Sequence, residues 1–303
     1  MALREGVVRV SVPATSANLG PGFDALGLAL DMRDRLDGEV LPEGLEVVVR
    51  GEGEGSVPLD ETHLVVRSVR AALEALGEQA PGLRLVCHNV VPHARGLGSS
   101  SAAIVGGLAL GRGLVVDGEE RMDDQALLRL AADIEGHPDN VAPAALGGLV
   151  VAGRDDAGWY AVRLAVDPRV TPVVLVPPDG VETERARGLL PAEVPHTDAA
   201  ANAGAAALLV AALSQEPDQL LRGTRDLLHQ QYRRPAMPAT IDLVEELRAD
   251  GVAAVVSGAG PTVLALLVDA DDAAVADVLG RAPAGWAALT LPVDARGVLT
   301  VLP

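Results

Sequence analysis

The sequence predicts a two-domain protein of the α+β class. Stretches with strand-like and helix-like spacing of apolar residues are intermixed along the 303 residues, without the regular strand–helix–strand repetition that produces a doubly wound sheet. Hydrophobic residues make up 49% of the chain, which is enough to bury a sizeable core. The pattern changes near Val166, so we predict an N-terminal domain at residues 1–165 and a C-terminal domain at residues 166–303.

The first half of the chain is predicted to contain both strands and helices. Apolar runs of strand length lie at residues 7–12, 45–49, 83–91 and 147–151. Helical spacing covers residues 63–76 and 123–135, and a further helix is predicted to begin at the serines of residues 99–101. The proline and the Asp-Asn pair of EGHPDN, residues 135–140, predict a loop, and residues 153–158 predict a turn.

The second half is predicted to open with a strand, because residues 170–177 form an apolar, β-branched run. Helices are then predicted at residues 198–213, with Asp198 as the N-cap, and at residues 217–234 and 238–250. Two apolar strands follow, joined by the glycine-rich turn SGAGPT at residues 257–262. A short helix and a strand complete the predicted order.

The acidic composition limits the partners that this chain can attract. With 42 acidic and 24 basic residues the net charge is −18, so we expect no general binding to nucleic acid or to an anionic membrane, and any anion site must be local. Cys87 is the single cysteine, which excludes an internal disulfide and a cysteine metal cluster. The charged N-terminus does not resemble a signal peptide, and we find no uncharged apolar run of about 18 residues. We therefore expect a cytoplasmic protein without a membrane anchor.

The stretch PATSANLGPGFDALGLALD, residues 13–31, follows the first predicted strand and combines glycines with small polar residues. Glycine adopts backbone conformations that other residues avoid and lets a ligand approach the main chain closely. The stretch also carries single copies of Asn18 and Asp24. We interpret it as a loop that brings backbone groups and these two side chains around a small polar ligand.

The segment GLGSSSAA, residues 96–103, follows a strand and opens a helix. The first turn of a helix presents unpaired backbone amides and a partial positive charge, and flanking glycines let phosphate oxygens reach those amides. The segment is not a Walker A loop, because no Gly-Lys-Ser/Thr follows, and it is not a GxSxG nucleophile elbow. The residues alone leave two interpretations open: a phosphate-binding loop, or a helix start with glycines for tight packing.

Four motifs together resemble the homoserine kinases of the GHMP kinase superfamily. They are PATSANLGPGFDALGLAL, PHARGLGSSSAAIVGG, EGHPDNVAPAALGG and SGAGPTVLAL, which occur in the family's order and spacing between residues 13 and 266. The resemblance implies a two-domain α+β fold with the phosphate loop in the N-terminal domain and a ferredoxin-like C-terminal domain. It also implies ATP, Mg²⁺ and phosphoryl transfer to the side-chain hydroxyl of L-homoserine, a step of threonine biosynthesis. Because many relatives are dimers, we expect a homodimer.

The resemblance implies a role for each residue that matches a family motif. The nucleotide-binding residues are Pro92, Arg95, Gly96, Leu97, Gly98, Ser99, Ser100, Ser101 and Ala102. The residues that bind the acceptor are Asn18, Asp24, His137, Asn140, Thr183, Arg187 and Arg233, with Asp24 on its ammonium group and the two arginines on its carboxylate. Ser100 and Glu135 are the predicted ligands of Mg²⁺. Asn18, Ser100, Glu135 and Asn140 are the predicted catalytic residues.

Several alternatives stay open at the level of sequence. Asp139 could act as a general base, or the acceptor proton could pass directly to the transferred phosphoryl group. EGHPDN lacks the HExxH spacing of a helical zinc site, which argues against zinc. His63 and His88 replace residues that many relatives use near the nucleotide. The competing functions are another small-molecule GHMP kinase, such as a mevalonate or shikimate kinase, and a non-catalytic relative that binds ATP and signals to a partner protein.

Overall fold

The computed structural model describes residues 3–303 and arranges them in two sheets with helices packed against them. The strands are β1 (Val8–Ala17), β2 (Leu26–Leu41), β3 (Gly44–Gly51), β4 (Gly82–Asn89), β5 (Leu149–Asp155), β6 (Gly158–Leu164), β7 (Val170–Val176), β8 (Ala253–Val256), β9 (Val263–Val268), β10 (Ala287–Thr290) and β11 (Leu299–Val301). The α-helices are α1 (Leu64–Ala75), α2 (Ser99–Gly113), α3 (Gly118–Arg121), α4 (Asp124–Glu135), α5 (Pro138–Leu146), α6 (Thr183–Arg187), α7 (His196–Ser214), α8 (Leu220–Gly223), α9 (Pro238–Ala249) and α10 (Asp272–Gly280). Short 3₁₀ helices lie at Pro217–Gln219 and Gln231–Arg233.

The larger sheet has the strand order β11–β1–β2–β4–β3, and the β5–β6 hairpin extends from β2. Apolar side chains of these strands form a first core with α1 and α2, in which Leu85 and Leu108 are fully buried. The register between β1 and β2 shifts between Pro13 and Ala14. Such an irregularity bends a strand. It lies where β1 changes from β-branched to small residues before the loop at Asn18.

The smaller sheet is antiparallel, with the strand order β10–β7–β9–β8. If these four strands are renumbered 1 to 4 along the chain, their order across the sheet is 4-1-3-2. This is the split β-α-β arrangement of ferredoxin-like domains. A second core joins the two sheets, because Leu28 and Leu30 of β2 pack with Val174 and Leu264 of the smaller sheet. The predicted α+β class is confirmed.

The boundary predicted after residue 165 falls between β6 and β7. However, β11, which that boundary assigns to the second domain, pairs antiparallel with β1 in the larger sheet. The chain therefore returns to its first sheet at the end. The division into two folding units stays a prediction.

Five local predictions were wrong in whole or in part. The stretch interpreted as a loop at residues 13–31 lies outside strands only between Ala17 and Leu26, because β1 and β2 take its two ends, and the turn predicted at residues 153–158 is confined to residues 156–157. HPDN does not form a loop: His137 precedes α5, which starts at Pro138, because proline suits the first position of a helix. The helix predicted at residues 217–234 is broken into short turns, and the Asp226 carboxylate accepts hydrogen bonds from three backbone amides, those of residues 228–230. Asp198 lies inside the first turn of α7 and is not its N-cap.

Helix α7 is the one helix of the described residues that is long and apolar enough to cross a membrane by length and composition, with a mean hydropathy of 1.3. Core helices of soluble proteins pass the same test. Asn202 of α7 is buried, and its side-chain amide donates a 2.8 Å hydrogen bond to the Pro21 carbonyl. The helix therefore packs against the loop that follows β1.

Candidate active site

A cavity of about 390 Å³ opens where loops of the two sheets meet. We call it the charged cavity. It is lined by Asn18, Ala94, Gly96, Gly98, Ser99, Ser100, Glu135, His137, Asn140, Thr183, Arg187, Arg233, Gly258 and Ala259. The structure thus brings together on one cavity most of the acceptor, catalytic and metal residues predicted from sequence.

The glycine-rich loop at residues 96–101 leads into α2 through two glycines in the left-handed backbone conformation. Gly96 has φ 76° and Gly98, the N-cap, has φ 72°. A Cβ atom on Gly96 would lie 2.3 Å from the Ser257 carbonyl oxygen, and one on Gly98 would lie 1.9 Å from the Thr15 hydroxyl. Both positions therefore require glycine, and the first turn of α2 is held open as an anion-binding helix start.

The turn at residues 257–262, which we call the closing turn, fastens the smaller sheet to this loop. The Ser257 hydroxyl donates to the Gly96 carbonyl at 2.6 Å, and the Gly258 amide donates to the Ala17 carbonyl at 3.0 Å. The Asn18 side-chain amide donates to the Gly258 carbonyl at 2.9 Å. Three distant segments of the chain therefore meet beside the start of α2.

Glu135, the last residue of α4, points its carboxylate at the first turn of α2. Its Oε1 atom accepts hydrogen bonds from the hydroxyls of Ser100 at 2.8 Å and Ser101 at 3.0 Å. The helix ends there because Gly136 adopts a left-handed conformation with φ 87°. Within residues 3–303 no group of three or more His, Cys, Asp or Glu side chains could hold a metal. Besides Glu135, the oxygen ligands that this end of α2 offers a cation are the hydroxyls of Ser100 and Ser101.

Asp24 is the one predicted acceptor residue that does not line the cavity, but it forms a bidentate ion pair with Arg187, which does. Arg187 Nη2 lies 2.6 Å from Asp24 Oδ1, and Arg187 Nη1 lies 3.0 Å from Oδ2. Both side chains are about one-third exposed. The hydrogen bonds to Asp24 raise the pKa of Arg187, so its charge is secure. The two residues that the sequence assigns to opposite charges of one ligand therefore pair with each other in this structure.

Arg233 is a buried cation without a carboxylate partner. Its exposed fraction is 1%, and its Nη1 donates to the Gly258 carbonyl at 2.8 Å. Its Nε has no hydrogen-bond partner, and within residues 3–303 no carboxylate lies within ion-pair distance of it. Burial, and then the nearby charge of Arg187, lower the pKa of Arg233 to about 10. A buried, incompletely paired charge is costly, so this position favours an incoming anion.

His137 and Asn140 reach the cavity from the start of α5. His137 Nδ1 lies 2.6 Å from Oδ1 of Asp139, whose side chain is buried. Burial alone would lower the pKa of His137, but the hydrogen bond and charge of Asp139 raise it above its ordinary value. Asn140 Oδ1 accepts from the Thr15 hydroxyl at 2.8 Å, which leaves its amide nitrogen for the cavity. Asp139 itself does not line the cavity and is engaged by the imidazole.

Five residues predicted to contact nucleotide do not line the charged cavity: Pro92, Arg95, Leu97, Ser101 and Ala102. Leu97 is buried in the core between the sheets, whereas Ala102 lines the neighbouring cavity described next. The Arg95 guanidinium donates to the His93 carbonyl at 2.7 Å and contacts the Pro178 carbonyl. Sequence reasoning did not name Ala94 or Thr15. The closing turn, which contributes Gly258 and Ala259, was signalled by SGAGPT.

A second cavity of about 330 Å³ adjoins the first and shares Ser99 and Ser100 with it. We call it the apolar cavity, because apolar side chains such as Leu36 and Val57 form most of its wall. His63 also lines it, and its buried Nδ1 has no partner among the described residues. Burial, and then the charge of His93, lower the pKa of His63, so its imidazole is neutral at neutral pH. His88 lies in β4 and lines neither cavity.

Comparisons with known proteins identify relatives along the whole chain. A model of the GHMP kinases N terminal domain matches residues 63–148, and a model of the GHMP kinases C terminal domain matches residues 203–285. The homoserine kinase of Streptomyces avermitilis is 55% identical over 302 residues, covering 100% of this chain and 98% of the relative. That of Leifsonia xyli subsp. xyli is 53% identical and covers 96% and 90%. The crystal structure of homoserine kinase from Cytophaga hutchinsonii matches with a TM-score of 0.87 at 26% identity, covering 99% of both chains.

Proposed function

This chain belongs to the homoserine kinases, within the GHMP kinases, and from that premise we propose the reaction and the residues that perform it. The reaction is ATP-dependent phosphorylation of the side-chain hydroxyl of L-homoserine, which yields O-phospho-L-homoserine and serves threonine biosynthesis. The protein must neutralise phosphate oxygens and hold the acceptor hydroxyl in line with the phosphoryl group. Each of these tasks has matching residues on the two cavities.

The observation that carries the acceptor assignment is the set of three charges formed by Asp24, Arg187 and Arg233. An amino acid zwitterion brings one ammonium and one carboxylate. We propose that the ammonium binds Asp24, while the carboxylate binds Arg187 and the otherwise unpaired Arg233. Because Asp24 and Arg187 pair with each other at 2.6 Å, a bound zwitterion replaces each partner by a group of the same charge. Mevalonate and shikimate carry a carboxylate for the arginines but no ammonium group, so neither would compensate Asp24 once Arg187 turns to the carboxylate.

The remaining polar residues of the charged cavity suit the uncharged part of the acceptor. The Asn140 amide nitrogen has no partner among residues 3–303, His137 is oriented by Asp139, and Thr183, at the start of α6, also lines the cavity. We propose that they contact the acceptor chain beside Asn18. The Asn18 side chain also fixes local structure, because its Oδ1 accepts from the Asp24 amide at 3.0 Å. Loss of Asn18 would therefore disturb both the closing turn and the position of Asp24.

The amides of Ser99, Ser100 and Ser101 at the start of α2 are proposed to bind the ATP phosphates. Glu135 and Ser100 fit a magnesium ion, because both offer hard oxygen donors and Mg²⁺ normally keeps waters and takes phosphate oxygens for its other positions. When bound, the ion neutralises charge on the phosphate oxygens. The apolar cavity is proposed to hold the nucleoside, since nucleoside sites are mostly apolar with few polar groups. The Asp34 carboxylate in its wall already accepts from the amides of Val90 and Val91.

The acceptor proton is proposed to leave with help from the phosphoryl group rather than from a protein base. The only carboxylate predicted for a base role, Asp139, is 2% exposed and hydrogen-bonded to His137. His137 already occupies one oxygen of this buried carboxylate, which does not line the cavity. The chain's own contribution is then orientation of the hydroxyl and exclusion of water by the closing turn.

One coupled assay tests the function directly. The purified protein is supplied with ATP, Mg²⁺ and, in turn, L-homoserine, L-threonine, mevalonate and shikimate. We expect phosphorylation of L-homoserine with much the highest kcat/KM. A preference for mevalonate or shikimate would contradict the proposal, and binding of ATP without any turnover would favour the non-catalytic relative. The homodimer and the cytoplasmic location stay predictions.

A further inference from the structure

The chain contains one phenylalanine, and that residue lies against both arginines of the charged cavity. The centroid of the Phe23 ring is 5.4 Å from Cζ of Arg187 and 5.8 Å from Cζ of Arg233. The His229 ring packs against it at 5.3 Å between centroids, with an interplanar angle of 37°. One aromatic side chain therefore contacts every cationic group that we assign to the acceptor carboxylate.

An aromatic ring attracts both guanidinium groups and thereby limits the distance between them. The face of an aromatic ring carries partial negative charge, and it attracts cations within about 6 Å. Arg187 and Arg233 repel each other, and Arg233 has no carboxylate partner among the described residues. If the substrate ammonium takes over Asp24, the ring is a contact that both arginines retain. It is also neutral, so it does not compete for the incoming carboxylate.

The backbone around Phe23 is anchored from the C-terminal half of the chain, which lets the ring serve as a fixed surface. The Asn202 side chain donates to the Pro21 carbonyl at 2.8 Å, and His229 Nε2 lies 2.8 Å from the Gly20 carbonyl oxygen. Asn18, Leu19 and Asp24 all have left-handed backbone conformations, with φ between 51° and 65°. Such conformations persist where surrounding contacts enforce them.

We propose that Phe23 is a positioning residue for the acceptor carboxylate: its ring holds the guanidinium groups of Arg187 and Arg233 at a spacing in which both bind one carboxylate. This inference rests on the proposed function of the charged cavity and adds to it a residue that neither bonds the substrate nor carries charge.

The test compares Phe23→Met, which keeps apolar volume but removes the ring, with Phe23→Tyr, which keeps the ring. Two acceptors are used: L-homoserine, and 3-aminopropan-1-ol, which keeps the ammonium and hydroxyl but lacks the carboxylate. We expect Phe23→Met to raise KM for L-homoserine about tenfold, with kcat and the KM for ATP changed less than about threefold. Efficiency with 3-aminopropan-1-ol should change by less than about threefold, and Phe23→Tyr should restore the KM for L-homoserine.

Asn202→Ala is the control for general loosening, because it removes the hydrogen bonds of Asn202 to the Pro21 carbonyl and the Leu227 amide without touching a guanidinium group. It should lower the efficiency of both acceptors by a similar factor. If Phe23→Met behaves in the same way as Asn202→Ala, or weakens ATP equally, the ring is structural and the proposal is overturned. It is also overturned if Phe23→Met leaves L-homoserine unaffected. If the wild type does not phosphorylate L-homoserine, the proposed function itself has failed.

If Phe23→Met does not fold, ¹⁹F NMR of the protein with its own sequence tests the same proposal. Because the chain has one phenylalanine, expression with 4-fluorophenylalanine places fluorine on this ring alone. We expect L-homoserine to shift the single ¹⁹F resonance and 3-aminopropan-1-ol to shift it much less, since only the former recruits both arginines. Equal shifts with the two acceptors, or no shift with L-homoserine, would overturn the proposal.

Discussion

The charged cavity and the apolar cavity meet at Ser99 and Ser100 but bind by different physical means. The charged cavity is lined by Glu135 and by two arginines, Arg187, which is paired with Asp24, and Arg233, which is buried and lacks a carboxylate partner among the described residues. The apolar cavity presents mainly hydrocarbon and a neutral His63. Ligand selection by the charged cavity depends on charge, so the loss of one charged side chain should lower affinity strongly. Ligand selection by the apolar cavity depends on shape and packing, so a single substitution there should have a smaller effect.

The largest expected effect is the loss of Arg233. Removing one partner of a buried charge pair costs about 2–5 kcal/mol, so Arg233→Ala should lower kcat/KM for L-homoserine at least about thirtyfold. ATP affinity should change little, because the phosphates lie at the start of α2. Steady-state kinetics with each substrate varied, together with direct ATP binding, measure both.

Arg234→Ala is the control for Arg233→Ala. Arg234 is adjacent in sequence but partly exposed, and its ion pairs are to Asp242 and Glu245. Exposed pairs of this kind contribute little, so the control should retain wild-type kinetics. If Arg233→Ala weakens ATP and spares L-homoserine, the arginine serves the nucleotide and the two cavities have been assigned the wrong way round.

The next largest effect is expected on the magnesium dependence of turnover, through Ser100 and Glu135 at the boundary between the cavities. Glu135→Gln and Ser100→Ala each remove an oxygen donor, and the loss of one interaction with a charged group, about 1.5–3 kcal/mol, corresponds to a roughly 10- to 100-fold weaker response to Mg²⁺. Magnesium titrations of turnover check this, and L-homoserine affinity should be preserved. Asp133→Asn makes the same carboxylate-to-amide change on α4, where Asp133 accepts from the Trp159 indole. Unchanged magnesium dependence in Glu135→Gln would show that Glu135 only holds Ser100 and Ser101.

A smaller effect, on ATP and not on L-homoserine, is expected from the apolar cavity. His63→Ala removes a neutral, mostly buried side chain, so KM for ATP should rise by about two- to tenfold, as for the loss of one ordinary packing or hydrogen-bonding contact. KM for L-homoserine should not change. His88→Ala is the matched control, since His88 lies off both cavities. A change in L-homoserine kinetics with wild-type ATP affinity would contradict the separation of the two cavities.

The smallest effect is on stability, through His229 behind the charged cavity. Burial lowers the pKa of His229 below its ordinary 6.5, although the charge of Asp226 opposes this. The folded state therefore binds this proton less readily than the unfolded state does. Its contribution is complete above pH about 6.5 and is lost as the pH falls towards the folded pKa, with a slope of at most about 1.4 kcal/mol per pH unit. Denaturant unfolding of wild type and His229→Gln between pH 7.5 and 5 should show a shallower loss in the variant. Parallel pH profiles would mean that His229 does not carry this dependence.

Local features of the site could be predicted from sequence because neighbouring residues cause them. The left-handed glycines of GLGSSS and the start of α2 follow from backbone sterics and helix ends, which a short stretch of sequence contains. The same locality explains the errors: Pro138 starts a helix and does not break one, and the Asp226 side chain competes for amides within the predicted helix 217–234.

The sequence by itself determined the family, the α+β class, the anion-binding helix start and the identity of the charged residues. Only the tertiary structure decided that Asp24 pairs with Arg187 across 163 positions of the chain, and that Arg233 is buried beside them without a carboxylate partner among the described residues. It likewise placed the single phenylalanine against both arginines. The physical reason is range: backbone conformation depends on adjacent residues, whereas the burial and pairing of a charge depend on which distant segments the cores of the two sheets bring together.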